Sequence, residues 1–298
     1  MKYAVSIDIG GTNVRVARVG EDYRVAERVS FPTPKTPDEC IARITEAVDA
    51  FDKKDLVGIG MCCPGPLDLV AGLVIYTPNL DRSWFGYPLT KNLSEATGLP
   101  VILENDANLA ALAEAVIGKG KGKKSLLYLT VSTGVGLGIV LDGKIFRGAH
   151  GFAGEMANAC VWEEGPVHGE LTRGSIEAVA SGTALLSRGR SAGLPVSSAK
   201  DVVMLSERGN PTARRLTTEA ERYMANFIGI LIGAFDPEIV IIGGSVALNV
   251  PGYAENIEDM VKQKALPAVA PHVKVVLSDL DGDNGLIGGA AAVFTETE

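Results

Sequence analysis

Residues 3–20 read YAVSIDIGGTNVRVARVG, and this stretch decides the fold class. The apolar segment at its start and the alternating segment at its end predict two strands, which the glycines between them join in a tight turn. YRVAERVSF at 23–31 predicts a third strand of the same meander. The pattern returns at 126–148, where LLYLTVS, GLGIVLD and KIFRG again predict strands separated by glycine turns. Two such starts predict two related lobes.

Helices and single buried strands account for most of the remaining chain. Apolar residues at helical spacing, with Asp38 as a candidate N-cap, predict a helix that ends near Phe51. Buried strands are predicted at 56–62, 101–106, 238–244 and 273–279, and further helices at 107–118, 211–235, 252–264 and 285–294. This mixed order predicts an α/β protein. The segment from His150 to Arg173 shows little periodicity, which in a compact domain is typical of a functional loop.

The composition narrows the class of protein. A chain of 298 residues, 46% hydrophobic and 21% charged, is long enough for one large or two ordinary globular domains, and this composition excludes disorder. The net charge of −8 argues against a nucleic-acid binder, and the four lysines between 119 and 124 are typical of a solvated loop. No apolar run approaches the roughly 18 residues that span a bilayer, and the start lacks a signal-peptide pattern. We therefore expect a cytoplasmic enzyme or binding protein.

The cysteines and histidines give no support for a structural cross-link. Four cysteines, Cys40, Cys62, Cys63 and Cys160, are not spaced like a disulfide framework or a zinc ribbon, so we expect them to be reduced. The three histidines are scattered and form no H-x-x-x-H pair.

The glycine-rich turns are the candidate ligand loops. DIGGTN at 8–13 lies between two predicted strands, where glycine lets backbone N–H groups approach a phosphate closely. It matches neither a P-loop nor a Rossmann turn, because both of those open a helix, and taken alone it also fits a plain hairpin. STGVGLG at 132–138 occupies the same place in the second lobe, and IGGS at 242–245 ends a buried strand. The three loops together predict contacts with a polyphosphate and a purine ring.

In combination, these motifs resemble the ROK sugar kinases, a family of the actin-like superfamily, over nearly the whole chain. DIGGTNVRV and STGVGLGI resemble the two phosphate loops, and IVIIGGSV resembles the adenosine loop. The sugar-site segments of the family are matched by CCPGPLD, TPNLDRSW, ENDANLAALAE, GAHGFAGEM and GSIEAVASGTAL. The resemblance implies that ATP is bound by Asp8, Gly10, Gly11, Thr12, Asn13, Ser132, Thr133, Gly134, Gly136, Gly243, Gly244 and Ser245.

Asp106 is the candidate catalytic residue. Asn105 and Asp106 follow a predicted strand, at a position where α/β proteins usually bind their ligands. By residue type alone, Asp106 also suits the N-cap of a helix that begins at Ala107. The resemblance implies instead that Asp106 is the general base, which accepts the proton of the attacking sugar hydroxyl. Phosphoryl transfer needs little more than an aligned hydroxyl, one carboxylate and neutralised phosphates.

The remaining sugar contacts are implied by the same resemblance. Glu155 and Glu177 match carboxylates that bind sugar, and each can accept hydrogen bonds from vicinal hydroxyls. A solvated surface position is the alternative for both. Asn79 and Asn105 match positions that hold hydroxyl groups, and Gly65 lets the sugar approach the backbone.

The resemblance implies sites for two metals, Mg²⁺ and zinc, and the sequence has suitable residues only for Mg²⁺. Asp8 is expected to organise Mg²⁺ through water, the alternative being a solvent-facing carboxylate. Most ROK kinases also carry zinc on a histidine and several cysteines, but here Asn158 occupies the histidine position and Ser175 that of the last cysteine. Cys160 and His168 cannot complete a four-ligand site, so no zinc is expected. Asn158 is expected to contact a sugar hydroxyl as a neutral donor and acceptor.

These expectations define one fold and one leading activity. We expect an actin-like (ribonuclease H-like) α/β fold of two lobes, each with a mixed five-stranded sheet. The small lobe is predicted at 1–106 plus 284–298 and the large lobe at 107–283. The expected reaction transfers the γ-phosphoryl group of ATP to a hexose, with the glucose 6-hydroxyl as first choice and N-acetylmannosamine or N-acetylglucosamine as the alternative acceptor.

Three further questions stay open at this stage. A sugar-responsive repressor of the same family would carry a helix-turn-helix segment before the first phosphate loop, whereas here strand one begins at Lys2. A non-catalytic nucleotide- or sugar-binding regulator is the other alternative, and the presence of Asp106, Glu155 and Glu177 argues against it. The sequence does not decide between ATP and polyphosphate as the donor. The resemblance implies a homodimer, and the acidic charge and short apolar runs predict no nucleic-acid or membrane partner.

The missing zinc ligands generate a first prediction. We expect the purified protein to contain no stoichiometric zinc, and chelator treatment to leave its melting temperature unchanged, because the ligands that bind zinc in the family are absent. Metal analysis together with thermal melting, with and without chelator, measures both quantities. About one zinc per chain would show that the segment 154–177 is misaligned with the family.

Overall fold

The structure is a computed structural model that describes residues 1–77, 79–280 and 282–296. The chain forms two compact units. Unit 1 contains Met1–Lys121, Arg147–Gly151 and the C-terminal stretch from Leu280, and unit 2 contains Gly122–Phe146 and Phe152–Asp279. The boundary predicted at residue 106 falls at the start of a helix, and unit 1 continues through that helix to Lys121.

The strands and helices follow the predicted order. The strands are β1 (Tyr3–Ile9), β2 (Asn13–Gly20), β3 (Val25–Pro32), β4 (Leu56–Cys62), β5 (Leu67–Asp68), β6 (Leu73–Val74), β7 (Val101–Glu104), β8 (Leu126–Val131), β9 (Val135–Leu141), β10 (Lys144–Ile145), β11 (Ile239–Gly243) and β12 (Val275–Leu277). The helices are α1 (Pro37–Ala50), α2 (Leu89–Thr97), α3 (Asp106–Val116), α4 (Ile176–Ala180), α5 (Gly182–Ser191), α6 (Ala199–Glu207), α7 (Pro211–Phe235), α8 (Ser245–Asn249), α9 (Tyr253–Lys264) and α10 (Asn284–Glu296).

Unit 1 is built on a mixed five-stranded sheet in the order β3-β2-β1-β4-β7. β1 pairs antiparallel with β2 and parallel with β4, and β4 pairs parallel with β7. One face of the sheet packs against α1 and α2 through a core that includes Ile7, Ile44 and Leu93. The other face packs against α10, where a Cβ on Gly60 would overlap the Gly289 carbonyl, so only glycine permits this approach of helix and strand.

Unit 2 repeats this arrangement in the order β10-β9-β8-β11-β12, so the predicted fold of two mixed five-stranded sheets is confirmed. β8 pairs antiparallel with β9 and parallel with β11. The long helix α7 begins where Asn210 caps it and Pro211 takes its first position, and it ends where Asp236 adopts a left-handed conformation. Its buried face joins the core of the unit through residues such as Met224 and Ile228.

Two local features differ from or extend the sequence predictions. Asp38 is not the cap of α1: Thr36 accepts the Glu39 N–H, and the Asp38 carboxylate accepts a hydrogen bond from the Tyr87 hydroxyl at 2.6 Å. The helix starts two residues earlier than expected because Thr36 caps it and Pro37 suits its first position. The irregular segment predicted from His150 to Arg173 contains no helix or strand in the structure.

Among the helices of the described ranges, none has the length and apolar character needed to cross a bilayer.

Candidate active site

Three parallel strands of unit 1 end at the same edge of its sheet. The register places Asp8 of β1 opposite Cys62 of β4, and Cys62 opposite Glu104 of β7. Side chains that follow these strands are therefore close to one another, as expected for the carboxyl ends of parallel strands. The predicted residues Asp8, Asn105 and Asp106 all lie at this edge.

The first glycine loop connects β1 to β2 and is held at its base. The Gly10 N–H donates to the Asn13 carbonyl at 2.9 Å, and the Thr33 hydroxyl donates to the Gly10 carbonyl at 2.7 Å. Gly11 and Thr12 are exposed at the tip. A Cβ on Gly11 would lie 3.1 Å from the backbone oxygen of Asn79, so the structure brings this loop together with one predicted sugar residue.

Asp8 accepts hydrogen bonds on both carboxylate oxygens. Arg15, its register partner on β2, approaches Oδ2 through Nε at 3.0 Å and also through a terminal guanidinium nitrogen. The Cys62 thiol donates to Oδ1 at 3.2 Å. Burial, followed by the nearby charges of Asp8 and Asp106, raises the pKa of this thiol, so Cys62 acts here as a neutral donor. The sequence reading missed Arg15, although β-strand pairing of DIGG with NVR places these residues opposite each other.

Asp106 is not the N-cap of α3. The helix begins at Asp106, and the Asn105 side chain caps it by accepting from the N–H groups of Ala107 at 2.8 Å and Asn108 at 3.4 Å. The Asp106 carboxylate reaches solvent, yet protein atoms crowd around it, and this desolvation, together with the charge of Asp8, raises its pKa. A raised pKa makes a carboxylate a better proton acceptor than one with an ordinary pKa.

Gly65 lies in the turn between β4 and β5, immediately before a cis Gly65-Pro66 bond. The nearest atoms to a Cβ at this position belong to Leu67, at 3.0 Å from its backbone nitrogen. Gly65 itself is half-buried, and the Leu67 side chain would lie 3.1 Å from the same Cβ.

The second glycine loop, in unit 2, is held by residues from α4 and α5. The Val135 N–H donates to the Glu177 carboxylate at 2.8 Å, and a Cβ on Gly134 would lie 2.5 Å from the same oxygen. Thr183 contributes its hydroxyl to the Thr133 carbonyl at 2.8 Å. Glu177, predicted as a sugar ligand, therefore contacts the loop that the sequence assigned to phosphate, and Thr183 is a supporting residue that the sequence reading missed.

The third glycine loop lies against the second. Gly243 ends β11, and Gly244 has φ +92°, a conformation that favours glycine. A Cβ on Gly244 would lie 2.5 Å from the carbonyl oxygen of Val131, the residue before Ser132. Gly136 lies at the start of β9, and Ser245 is the exposed first residue of α8. The predicted nucleotide residues of unit 2 thus occupy two adjoining loops.

The predicted sugar loop of unit 2 is joined to the helix that carries Glu177. Glu155 is exposed, and its loop turns at Gly154, which packs against the backbone of Leu137. The Glu177 N–H donates to the Ala157 carbonyl at 3.1 Å. Glu155 and Glu177 are therefore held in one connected piece of chain.

The residues at the family zinc positions do not fit a zinc ion. The Asn158 amide oxygen accepts the Thr172 N–H at 2.6 Å, and the Ser175 hydroxyl caps α4. Cys160 pairs through its backbone with Ser175, while His168 bonds to Thr183 at 3.1 Å. Within the part of the chain that the structure describes, no three His, Cys, Asp or Glu side chains are grouped to bind a metal.

The chain is similar to known proteins along nearly its whole length. The sequence model of the ROK family matches residues 4–296. A glucokinase from Halalkalibacterium halodurans is 32% identical, with 97% of this chain and 94% of the relative covered. An N-acetylmannosamine kinase from Citrobacter koseri is 34% identical, with 96% and 97% covered.

Solved structures give the same result. A ROK hexokinase from Thermus thermophilus has a TM-score of 0.89 and 35% identity, with 99% of each chain covered. A ROK family glucokinase from Streptomyces griseus, in complex with glucose and AMPPNP, has a TM-score of 0.78 and 28% identity, with 98% of this chain and 99% of that chain covered. Because the family match spans almost every residue and relatives above 30% identity are covered nearly in full, this chain belongs to the ROK family.

Proposed function

We propose that this chain is an ATP-dependent hexose kinase that phosphorylates the 6-hydroxyl of glucose. The observation that carries the proposal is the carboxylate of Asp106, with a raised pKa, at the same sheet edge as Asp8 and the first glycine loop. The glucokinase and hexokinase relatives support the activity, and the AMPPNP held by the Streptomyces griseus glucokinase supports ATP as the donor.

Asp106 is the general base of the proposed reaction. It accepts the proton of the sugar hydroxyl as that oxygen attacks the γ-phosphorus, so that the new O–P bond forms while the bond to the leaving ADP breaks. Asn105 sets the direction of the Asp106 backbone, because its side chain caps the first turn of α3. The remaining residues proposed to hold the sugar are Gly65, Asn79, Glu155, Asn158 and Glu177.

The glycine loops bind the nucleotide in this proposal. Backbone N–H groups of the loops at 8–13 and 132–136 contact phosphate oxygens, and the loop at 243–245 contacts the adenosine. Asp8 is the residue that would hold Mg²⁺, through water, because Arg15 and Cys62 already occupy its two oxygens and Mg²⁺ retains several waters. Mg²⁺, when bound, neutralises charge on the transferring phosphates.

A second acceptor is supported by a specific observation. The N-acetylmannosamine kinase from Citrobacter koseri is 34% identical and the glucokinase 32% identical, so relatives with both acceptors are similar to this chain. Glucose and N-acetylmannosamine differ at carbon 2, where N-acetylmannosamine carries an acetamido group instead of a hydroxyl and has the opposite configuration. A coupled assay with glucose, mannose, N-acetylmannosamine and N-acetylglucosamine, each with ATP and with polyphosphate, distinguishes the candidates. Phosphorylation of none of these sugars with either donor would contradict the proposal.

The proposal also includes the cellular compartment and the oligomeric state. ATP as the donor and four free thiols support a cytoplasmic enzyme. Ile230 of α7 and Leu266 after α9 are exposed apolar side chains on one groove, and they support a homodimer. Light scattering of the wild type beside Ile230→Glu checks the dimer: a monomeric wild type contradicts it.

Replacement of the base is the direct test of Asp106. Asp106→Asn keeps the start of α3, since the cap belongs to Asn105, but removes the proton acceptor. We expect kcat to fall at least about 100-fold while the sugar KM changes by less than about threefold. Steady-state kinetics at saturating Mg-ATP measures both. A kcat within about threefold of the wild type would show that Asp106 is not the base.

The contact of Glu177 with the second glycine loop generates another prediction. Glu177→Ala removes the acceptor of the Val135 N–H, so we expect the KM for ATP to rise about tenfold, together with the sugar KM. The matched control is Glu170→Ala, which removes an exposed carboxylate from the neighbouring irregular segment. An effect on the sugar KM alone would mean that the bond to Val135 does not shape the nucleotide loop.

A further inference from the structure

The carboxylate of Glu104 has no role in the chemistry described so far. Glu104 ends β7, immediately before Asn105, and its side chain is 0% exposed. A buried carboxylate is unfavourable unless it is paired and hydrogen-bonded, because it has lost its water. Its partners therefore indicate what this position does.

Three donors surround this carboxylate. One oxygen accepts the Asn105 backbone N–H and the Asn108 side-chain amide, each at 2.9 Å. The other oxygen accepts Nε of Arg147 at 2.6 Å. Glu104 thus contacts Asn105, which precedes Asp106, Asn108 in the first turn of α3, and Arg147, which is distant in sequence.

Asn108 shows how strongly this arrangement is specified. Its side chain is 2% exposed, and its amide oxygen has no hydrogen-bond partner. Rotation of the amide would turn that oxygen towards the Glu104 carboxylate and remove the bond that Glu104 accepts. The Glu104 charge therefore fixes the orientation of Asn108 even though one buried polar atom is left unpaired.

Arg147 reaches this site from a short separate stretch of chain. Residues 147–151 belong to unit 1, whereas the chain on both sides of them belongs to unit 2. The Arg147 side chain is 34% exposed, so its charge is only partly desolvated, and its bond to Glu104 compensates a fully buried negative charge. This pairing fastens the stretch 147–151 to the end of β7.

We propose that Glu104 and Arg147 are positioning residues that fix the Asp106 carboxylate for proton transfer. The inference rests on the proposed role of Asp106 as the base. Glu104 holds the backbone of Asn105 on one side, while the Asn105 side chain holds the first turn of α3 on the other. Asp106 lies between these two restraints, and a base is effective only when its carboxylate is held at hydrogen-bonding distance from the hydroxyl.

Three single variants and one control test the proposal. Glu104→Gln keeps the shape but presents an N–H group to Arg147, and Arg147→Met removes the cation. Arg147→Lys keeps the charge and can still donate to the carboxylate. Lys53→Met is the control, because it breaks an exposed ion pair with Asp49 far along the sequence from these residues.

The expected result separates positioning from substrate binding. Glu104→Gln and Arg147→Met should each lower kcat about tenfold, with the KM values for sugar and ATP within about threefold of the wild type. Arg147→Lys should restore most of the lost kcat, and Lys53→Met should leave it unchanged. The double variant of Glu104→Gln with Arg147→Met should be no slower than the slower single variant, because the two residues act as one pair.

Other outcomes contradict the inference in distinguishable ways. If Asp106→Asn is inactive but the Glu104 and Arg147 variants keep the wild-type kcat, the positioning role is wrong and the kinase proposal stands. If Asp106→Asn remains active, the role of the base itself is wrong. A purely structural pair would give a different result. The variants would then have a lower kcat, similarly raised KM values for sugar and ATP and a lower melting temperature, and Arg147→Lys would show no recovery. If Glu104→Gln does not fold, the two Arg147 variants decide the question alone.

Discussion

Parallel pairing of β1, β4 and β7 is the constraint on which the site in unit 1 depends. This register puts Asp8, Cys62 and Glu104 in one row, and the chain leaves the sheet at that row to form the first glycine loop and the start of α3. A shift of one residue in either pairing would move these side chains to the opposite face of the sheet. Both faces of β1 and β4 are packed against helices, and such a shift would put a larger side chain where Gly60 now lies against Gly289 of α10.

Like charges at this edge require compensation. Asp8 is paired with Arg15, and Glu104 with Arg147, while Asp106 makes no ion pair with either cation in the described contacts. Asp8 and Glu104 thus each face an arginine, whereas desolvation and the charge of Asp8 raise the pKa of Asp106. A carboxylate with a perturbed pKa among other charged groups is typical of a functional site.

Local pattern explains how much of this was predictable from the sequence. The alternating strands, the glycine turns and the helix at α7 were predicted within a few residues, since each follows from spacing along the chain. The positions of the glycine loops followed from the same pattern. What the sequence did not reveal is pairing between distant residues: Arg147 is 43 positions from Glu104, and nothing local marks them as partners. Likewise, Asn105 and Asp106 both suit an N-cap, and only the geometry of the first turn decides between them.

The packing of α10 has a consequence for synthesis on the ribosome. This helix covers one face of the sheet in unit 1 and contacts β1, β4 and α3, with Gly289 against Gly60. Unit 2 is made entirely of residues that precede it, whereas the core of unit 1 is incomplete until residue 296 has emerged from the exit tunnel. The strands at the start of the chain must therefore wait for partners that are translated more than two hundred codons later. Until then the apolar residues of the sheet that face α10, such as Ala4, Ala17 and Val19, lack the partners that bury them in the folded protein.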